Sequence, residues 1–357
     1  MFGRFSQLGL VLCLAAGLAA AQDKKNAPPP TPKPAPKSSP PRENKVWSPP
    51  ATPRPPRAVH WGDGITSEKA IAADPGVAIK FCISEGDVKI NGTERDELRV
   101  FVRNGRKFEF RSLEKDAKSG KATWVWLTRA SDERAVPGPF TNCLSGENIE
   151  IDIPLKGSVT IEGRSGTVEI DSVAKATVKL IEGDVTVRNI PSGLDARTDQ
   201  GELFAENIGG HVALETTSGN IVAFDLRSSR PDDPLKVKTL KGTISLQKIA
   251  HRQIDANALS GSVNYVGNFL GGGIYKFRSS SGRIGLLLPE DVDCRIHAAY
   301  GFGSFDSAFS LKVVSETIEP GGKSMVAALG AGKGPMVMLS TTSGVIRIRK
   351  QGQADLP

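Results

Sequence analysis

Aromatic residues make up only 6% of this 357-residue sequence. That scarcity argues against a core of bulky rings. Together with 38 glycines, it favours a narrow interior of small aliphatic side chains. Histidine is rarer still: His60, His211, His251 and His297 are scattered, and none stands in an HExxH spacing. The four cysteines form no CxxC pair, which removes the redox and zinc-ribbon readings. The calcium-binding Gly-Gly-x-Gly-x-Asp repeat is missing as well. Gly271-Gly272-Gly273 has neither the Asp nor the repetition, and no Lys-Ser/Thr follows Gly301-Phe-Gly-Ser to make a phosphate loop. No apolar run reaches the ~20 residues that span a bilayer.

Charge is also missing where a nucleic-acid binder would need it. The net charge is +7, but residues 1–60 hold nine Lys and Arg against two Asp and Glu. The rest carries 37 of each sign and is neutral. No nucleic-acid partner is therefore expected. The positive field belongs to the N-terminal segment, which suits anionic lipid or wall polymer.

That segment reads in two parts. Arg4, the apolar run Leu8–Leu18 and Ala19-Ala20-Ala21 form a secretory signal over residues 1–21, with cleavage expected after Ala21. A retained anchor is the alternative. Cys13 follows Leu12, not the Gly or Ala of a lipobox. Residues 22–58 hold thirteen of the 24 prolines. Proline removes an amide donor and fixes φ, so a disordered, basic, polyproline-like linker is expected. Export implies an oxidising compartment, periplasmic or at the cell surface or beyond it. Cys82, Cys143 and Cys294 remain after cleavage, and Cys82–Cys143 is the expected disulfide because both lie in the N-terminal part of the domain.

From residue 81 onward, glycine punctuates short alternating strands. The unit is plain in Gly166-Thr-Val-Glu-Ile, Gly183-Asp-Val-Thr-Val, Gly201-Glu-Leu-Phe-Ala, Gly219-Asn-Ile-Val-Ala, Gly242-Thr-Ile-Ser-Leu, Gly261-Ser-Val-Asn-Tyr and Gly282-Arg-Ile-Gly-Leu. Gly303-Ser-Phe-Asp-Ser is a poorer copy and Gly344-Val-Ile-Arg-Ile a good one. The long gap between Gly303 and Gly344 reads as two periods with one degraded. A second strand falls between successive glycines, as in His211-Val-Ala-Leu-Glu-Thr. A strand–turn–strand–glycine unit of roughly 20 residues predicts an all-β solenoid, β-helix-like, because one unit cannot bury its apolar face alone. An antiparallel sandwich is the rival. The expected organisation is a β cap region over 59–148, the repeat domain over 149–350 and a disordered tail over 351–357. Within the cap, Ser67–Ala73 is expected to form a short helix.

The Ser-Gly-x-φ-x-φ units and the lead-in Ile149-Glu-Ile-Asp-Ile-Pro154 before Gly157-Ser-Val-Thr-Ile resemble the adhesin-like family of bacterial cell-envelope β-repeat proteins (DUF4097-like) over residues 81–350. A similar phrase recurs at Leu286-Leu-Leu-Pro289 before Cys294-Arg-Ile-His-Ala. The resemblance implies a stacked β fold at the envelope. It brings no catalytic residues and no cofactor, and the Pro-rich linker is outside its pattern.

Chemistry is correspondingly sparse, and no catalytic or metal residue is expected. Glycoside hydrolysis needs a pair of carboxylates facing one bond. Matching positions of successive units here carry Thr167, Asp184, Glu202, Asn220, Thr243, Ser262 and Arg283, a mixed column. Asp87, Asp184 and Asp199 fall at turns, where Asp caps backbone amides. The candidate ligand-binding residues are Trp124 and Trp126. If Val125 and Leu127 enter the core, both indoles point outward together, ready to stack on a sugar ring or anchor a protein. Both packing under the cap is the alternative. The favoured function is a non-catalytic envelope protein, adhesin-like or a scaffold, that binds a wall or surface glycan or an envelope protein. Two alternatives stand: a polysaccharide-acting β-helix enzyme, and an envelope-stress sensor component tethered by its basic linker.

Overall fold

Alternation explains the strands. In Val185–Ile190, Val187 and Val185 are buried while Thr186 and Arg188 face outward. Strict alternation would then send Ile190 outward too. Asn189 takes φ 57°, which adds a kink and returns Ile190 to the core. Asn207, Asp225 and Lys248 repeat the device in the next three strands of that face, so Ile208, Leu226 and Ile249 turn inward. Two of these corners form a side-chain ladder. The Asn207 amide donates to Asn189 Oδ1 at 2.7 Å, and the Asn189 amide to Asp171 Oδ1 at 2.8 Å.

The computed structural model describes residues 64–130 and 140–352. The signal segment 1–21, the linker 22–58, Cys13, His60 and residues 353–357 of the expected tail 351–357 lie outside the described residues; Gln351 and Gly352 form a turn. All described residues fall in one compact unit, Val59–Pro357.

Each rung contributes one strand to each of two parallel sheet faces. On one face Ala176, Leu194, Val212, Leu235 and Ile254 stand in register. On the other, Val185, Leu203, Ile221, Ile244, Val263 and Ile284 do so. The two inner rows form a continuous column, chiefly of Val, Ile, Leu and Ala, which is the β-solenoid the repeat predicts. The expected absence of bulky rings fails locally: Tyr265, Phe269, Tyr275 and Phe277 pack together in the core toward the C-terminal end, with ring centroids 4.6–5.2 Å apart.

Glycine lines one corner because nothing else fits. A Cβ on Gly183, at φ 134°, would sit 1.9 Å from the Gly166 carbonyl oxygen of the neighbouring rung. The same contact chains eleven glycines in the spatial order 146, 86, 166, 183, 201, 219, 242, 261, 282, 344, 303. Buried hydroxyls cap the carbonyls of this column. Thr198, Thr216 and Thr239 donate to the oxygens of Gly183, Gly201 and Gly219, each at 3.1 Å, and Ser279 donates to Gly261 at 2.8 Å.

That spatial order departs from chain order at both ends. The strand Ile65–Thr93 supplies the second rung; the first comes later, from Ala122–Arg129 and Leu144–Pro154. At the other end Met336–Thr341 and Val345–Lys350 insert between Ile274–Leu288 and the rung of Cys294–Tyr300 and Ser304–Ser307. The gap between Gly303 and Gly344 is therefore an outward excursion through the Lys312–Glu319 and Gly322–Leu329 hairpin, not a degraded period. Ser67–Ala73 is a strand and not a helix. It pairs antiparallel with Glu97–Gly105, and that ladder overrides the helix preference of its Ala, Glu and Lys residues.

Candidate ligand-binding face

The strand Ala122–Arg129 is held between Phe108–Lys115 on one side and residues 73–81 on the other. Val125 and Leu127 are fully buried, so the strand's pleat turns Trp124 and Trp126 to the opposite, outer side. Trp126 is 37% exposed and Trp124 half-buried. The two indoles share one face at the end of the solenoid, rather than lying beneath a cap. Arg111 and Lys80 flank Trp126, and Glu114 and Ala78 flank Trp124. Apolar ring faces beside cationic and anionic groups can stack on a pyranose and hydrogen-bond its hydroxyls. A disulfide joins Cys82, next to this strand pair, to Cys143, with the Cα atoms 4.7 Å apart. It ties the entry of the outermost rung to the second one.

Beyond the two indoles, starting at Lys80 beside Trp126, the same outer face is polar and cross-linked between rungs. Lys80 pairs with Glu162 at 3.5 Å, Lys238 with Glu215 at 2.8 Å and Arg278 with Asp255 at 2.5 Å. Such exposed pairs contribute little each. They occupy charges that would otherwise offer a ligand a contiguous field.

A groove of about 350 Å³ lies at the corner opposite the glycine column, lined by Lys175, Asp195, His211, Arg230 and Asp233 among others. It exists because the step from Gly219 to Gly242 carries extra residues, which fold as a loop over Ser228–Asp233. Asp233 is almost fully buried and accepts the amides of Ser229 at 3.0 Å and Arg230 at 2.7 Å. Its carboxylate is thus spent on the loop. Behind it, His251 is fully buried and donates Nε2–H to the Gly210 carbonyl at 2.9 Å. Burial pushes its pKa below the usual imidazole range, partly offset by that carbonyl.

Two of the three expected turn carboxylates cap backbone amides, whereas Asp199 lies within the strand Leu194–Gln200 and faces Arg197 at 3.9 Å. Asp87 accepts the Thr167 amide at 3.1 Å, and Asp184 accepts the Glu202 amide at 2.7 Å, each bridging neighbouring rungs. Among the described residues, no three His, Cys, Asp or Glu side chains are grouped to hold a metal ion. Cys294 is a free thiol packed in the core, where burial raises its pKa to about 12.

One feature escaped the sequence reading. On the other outer face, Phe204 stands opposite Val222, with Phe224 beside them. The Arg188 guanidinium lies 5.3 Å over Phe204, and the Lys248 ammonium 4.6 Å over Phe224. The signal was present as apolar residues at the outward positions of Leu203-Phe-Ala and Ala223-Phe-Asp.

No curated protein matches this chain. Among solved structures, a candidate cell adhesion protein from Clostridium sporogenes ATCC 15579 is similar at 11% identity, over 80% of this chain and all of that one, with a TM-score of 0.23. So low a score carries no argument about fold or role. The family comparison is decisive: residues 78–349 match the model described as Toastrack DUF4097, and the chain belongs to that family.

Proposed function

We propose that this protein is an exported, non-catalytic component of the bacterial envelope that binds a wall or surface glycan, or an envelope protein, through the outer face around Trp124 and Trp126. The observation that carries the reading is the placement of both indoles on the solvent side of one strand, above fully buried Val125 and Leu127. Membership of the Toastrack DUF4097 family, with its adhesin-like character, supports a binding role. In this reading the basic segment 22–58 is a spacer. At ~3.1 Å per residue it reaches on the order of 100 Å and can touch anionic lipid or wall polymer.

The test is binding of the full chain to peptidoglycan, to a glycan array and to whole cells, with W124A/W126A alongside. Saturable binding to one polymer, lost in the double variant with the fold intact, is the expected result. Equal binding by the double variant refutes the Trp face. Export is checked separately by N-terminal sequencing from the native host: Gln22 as the first residue is expected, and an intact Met1 contradicts cleavage.

A further inference from the structure

The strand Lys312–Glu319 is paired on one side only, antiparallel to Gly322–Leu329, and all eight of its residues are exposed. Among the described residues, nothing pairs with its other edge. Its exposed residues include Val313 at 52%, Val314 at 67% and Ile318 at 69%. Phe302, near the same end, is 80% exposed. An open edge of this length that exposes three large apolar residues is a template for another strand. Its charges, Lys312, Glu316 and Glu319, blunt pairing with an arbitrary strand, so a partner strand must match them.

We propose that this edge pairs with the same strand of a second copy of the chain, antiparallel, about a two-fold axis at Glu316. The argument is self-complementarity. A register shift between Val313 and Ser315 leaves Val314 as a bulge. Val313, Glu316 and Ile318 therefore share one face, and Lys312, Ser315, Thr317 and Glu319 the other. With Glu316 on the axis, Lys312 of one copy opposes Glu319 of the other, Val313 opposes Ile318, and Ser315 opposes Thr317. Every opposed pair lies on one face and is complementary in charge or polarity, and symmetry makes each occur twice. The exception is at the axis, where Glu316 meets its own copy and like charges oppose association. The dimer would join two solenoids end to end and leave Trp124 and Trp126 at the far ends. The inference does not depend on what those indoles bind.

Sedimentation velocity of the full chain over a concentration series tests it. The expected result is a monomer–dimer equilibrium in which K312E and E319K each raise Kd on the order of tenfold, since each reversal spoils two pairs. The double variant K312E/E319K restores wild-type association, because the ion pairs re-form with their signs exchanged. E316Q tightens the dimer. All these positions are exposed, so circular dichroism should show an unchanged fold. A monomer at every concentration, with and without E316Q, overturns the proposal and leaves the edge for a different protein. So does a dimer indifferent to the two reversals.

Discussion

Alanine at Gly201 should be among the most damaging single substitutions in the repeat domain. Gly201 has φ 148°, a region in which an L-residue is strained by about 1–3 kcal/mol. Its added Cβ would lie 2.1 Å from the Gly183 carbonyl oxygen. That oxygen is backbone, fixed within the rung stack, so relief requires the rungs to move apart. Overpacking of this kind costs a further ~1–3 kcal/mol. The amide of Gly201 also donates to Ser218 at 3.0 Å, and its carbonyl accepts Thr216 at 3.1 Å, so a shift weakens both bonds. The expected loss is about 3–5 kcal/mol. Gly321→Ala is the comparison, because no atom lies within 4 Å of its added Cβ and its φ is not positive; the expected change is within about 0.5 kcal/mol. Urea unfolding followed by circular dichroism and by tryptophan fluorescence measures both, and coincident transitions would justify a single free energy. A Gly201→Ala protein within 1 kcal/mol of wild type would refute the stacked-corner explanation.

Other perturbations have equally definite outcomes. Thr216→Val keeps the shape but removes the hydroxyl that caps Gly201, and should cost about 1 kcal/mol in the same urea assay; no loss would mean that the buried hydroxyl column is incidental. Ala258, in register with Thr239, shows that one rung tolerates the missing cap, which keeps the estimate low. Replacing Cys143 by Ser opens a link across 61 residues and should cost about 4 kcal/mol under oxidising conditions, with no difference once both proteins are reduced. Acid should destabilise the protein through His251. Its folded pKa is lowered by burial, so the unfolded chain takes up the proton first, and stability falls as pH drops below the unfolded value near 6.5, by up to about 1.4 kcal/mol per pH unit. His251→Gln should flatten thermal stability between pH 7 and 5; an unchanged slope would assign the effect to other groups.

The repeat was legible because the glycine corner and the alternating strand impose a local pattern that spacing reveals. The ends were not. Ser84-Glu85-Gly86-Asp-Val-Lys-Ile and Ser145-Gly146-Glu-Asn-Ile-Glu-Ile carry the same signature as the central rungs. Their spacing is irregular because antiparallel strands intervene between them. Reading periods assumes that the chain visits rungs in order, and here it does not. The outward kinks at Asn189, Asn207, Asp225 and Lys248 were hidden too, since no single residue type marks them. Ser67–Ala73 misled because propensity is local, whereas its ladder to Glu97–Gly105 is tertiary. The outward placement of the Trp pair, by contrast, followed directly from alternation with Val125 and Leu127.

The most direct test of the binding role is the fluorescence of those two indoles. The full chain, with Trp47 and Trp61 replaced by Phe, should show a saturable change in emission when titrated with solubilised wall glycan. W124A/W126A, followed by co-sedimentation with the insoluble wall polymer, should lose that binding while its circular dichroism stays unchanged. Saturable glycan binding with no change in emission would contradict the account, because a ligand held elsewhere on the solenoid leaves Trp124 and Trp126 untouched.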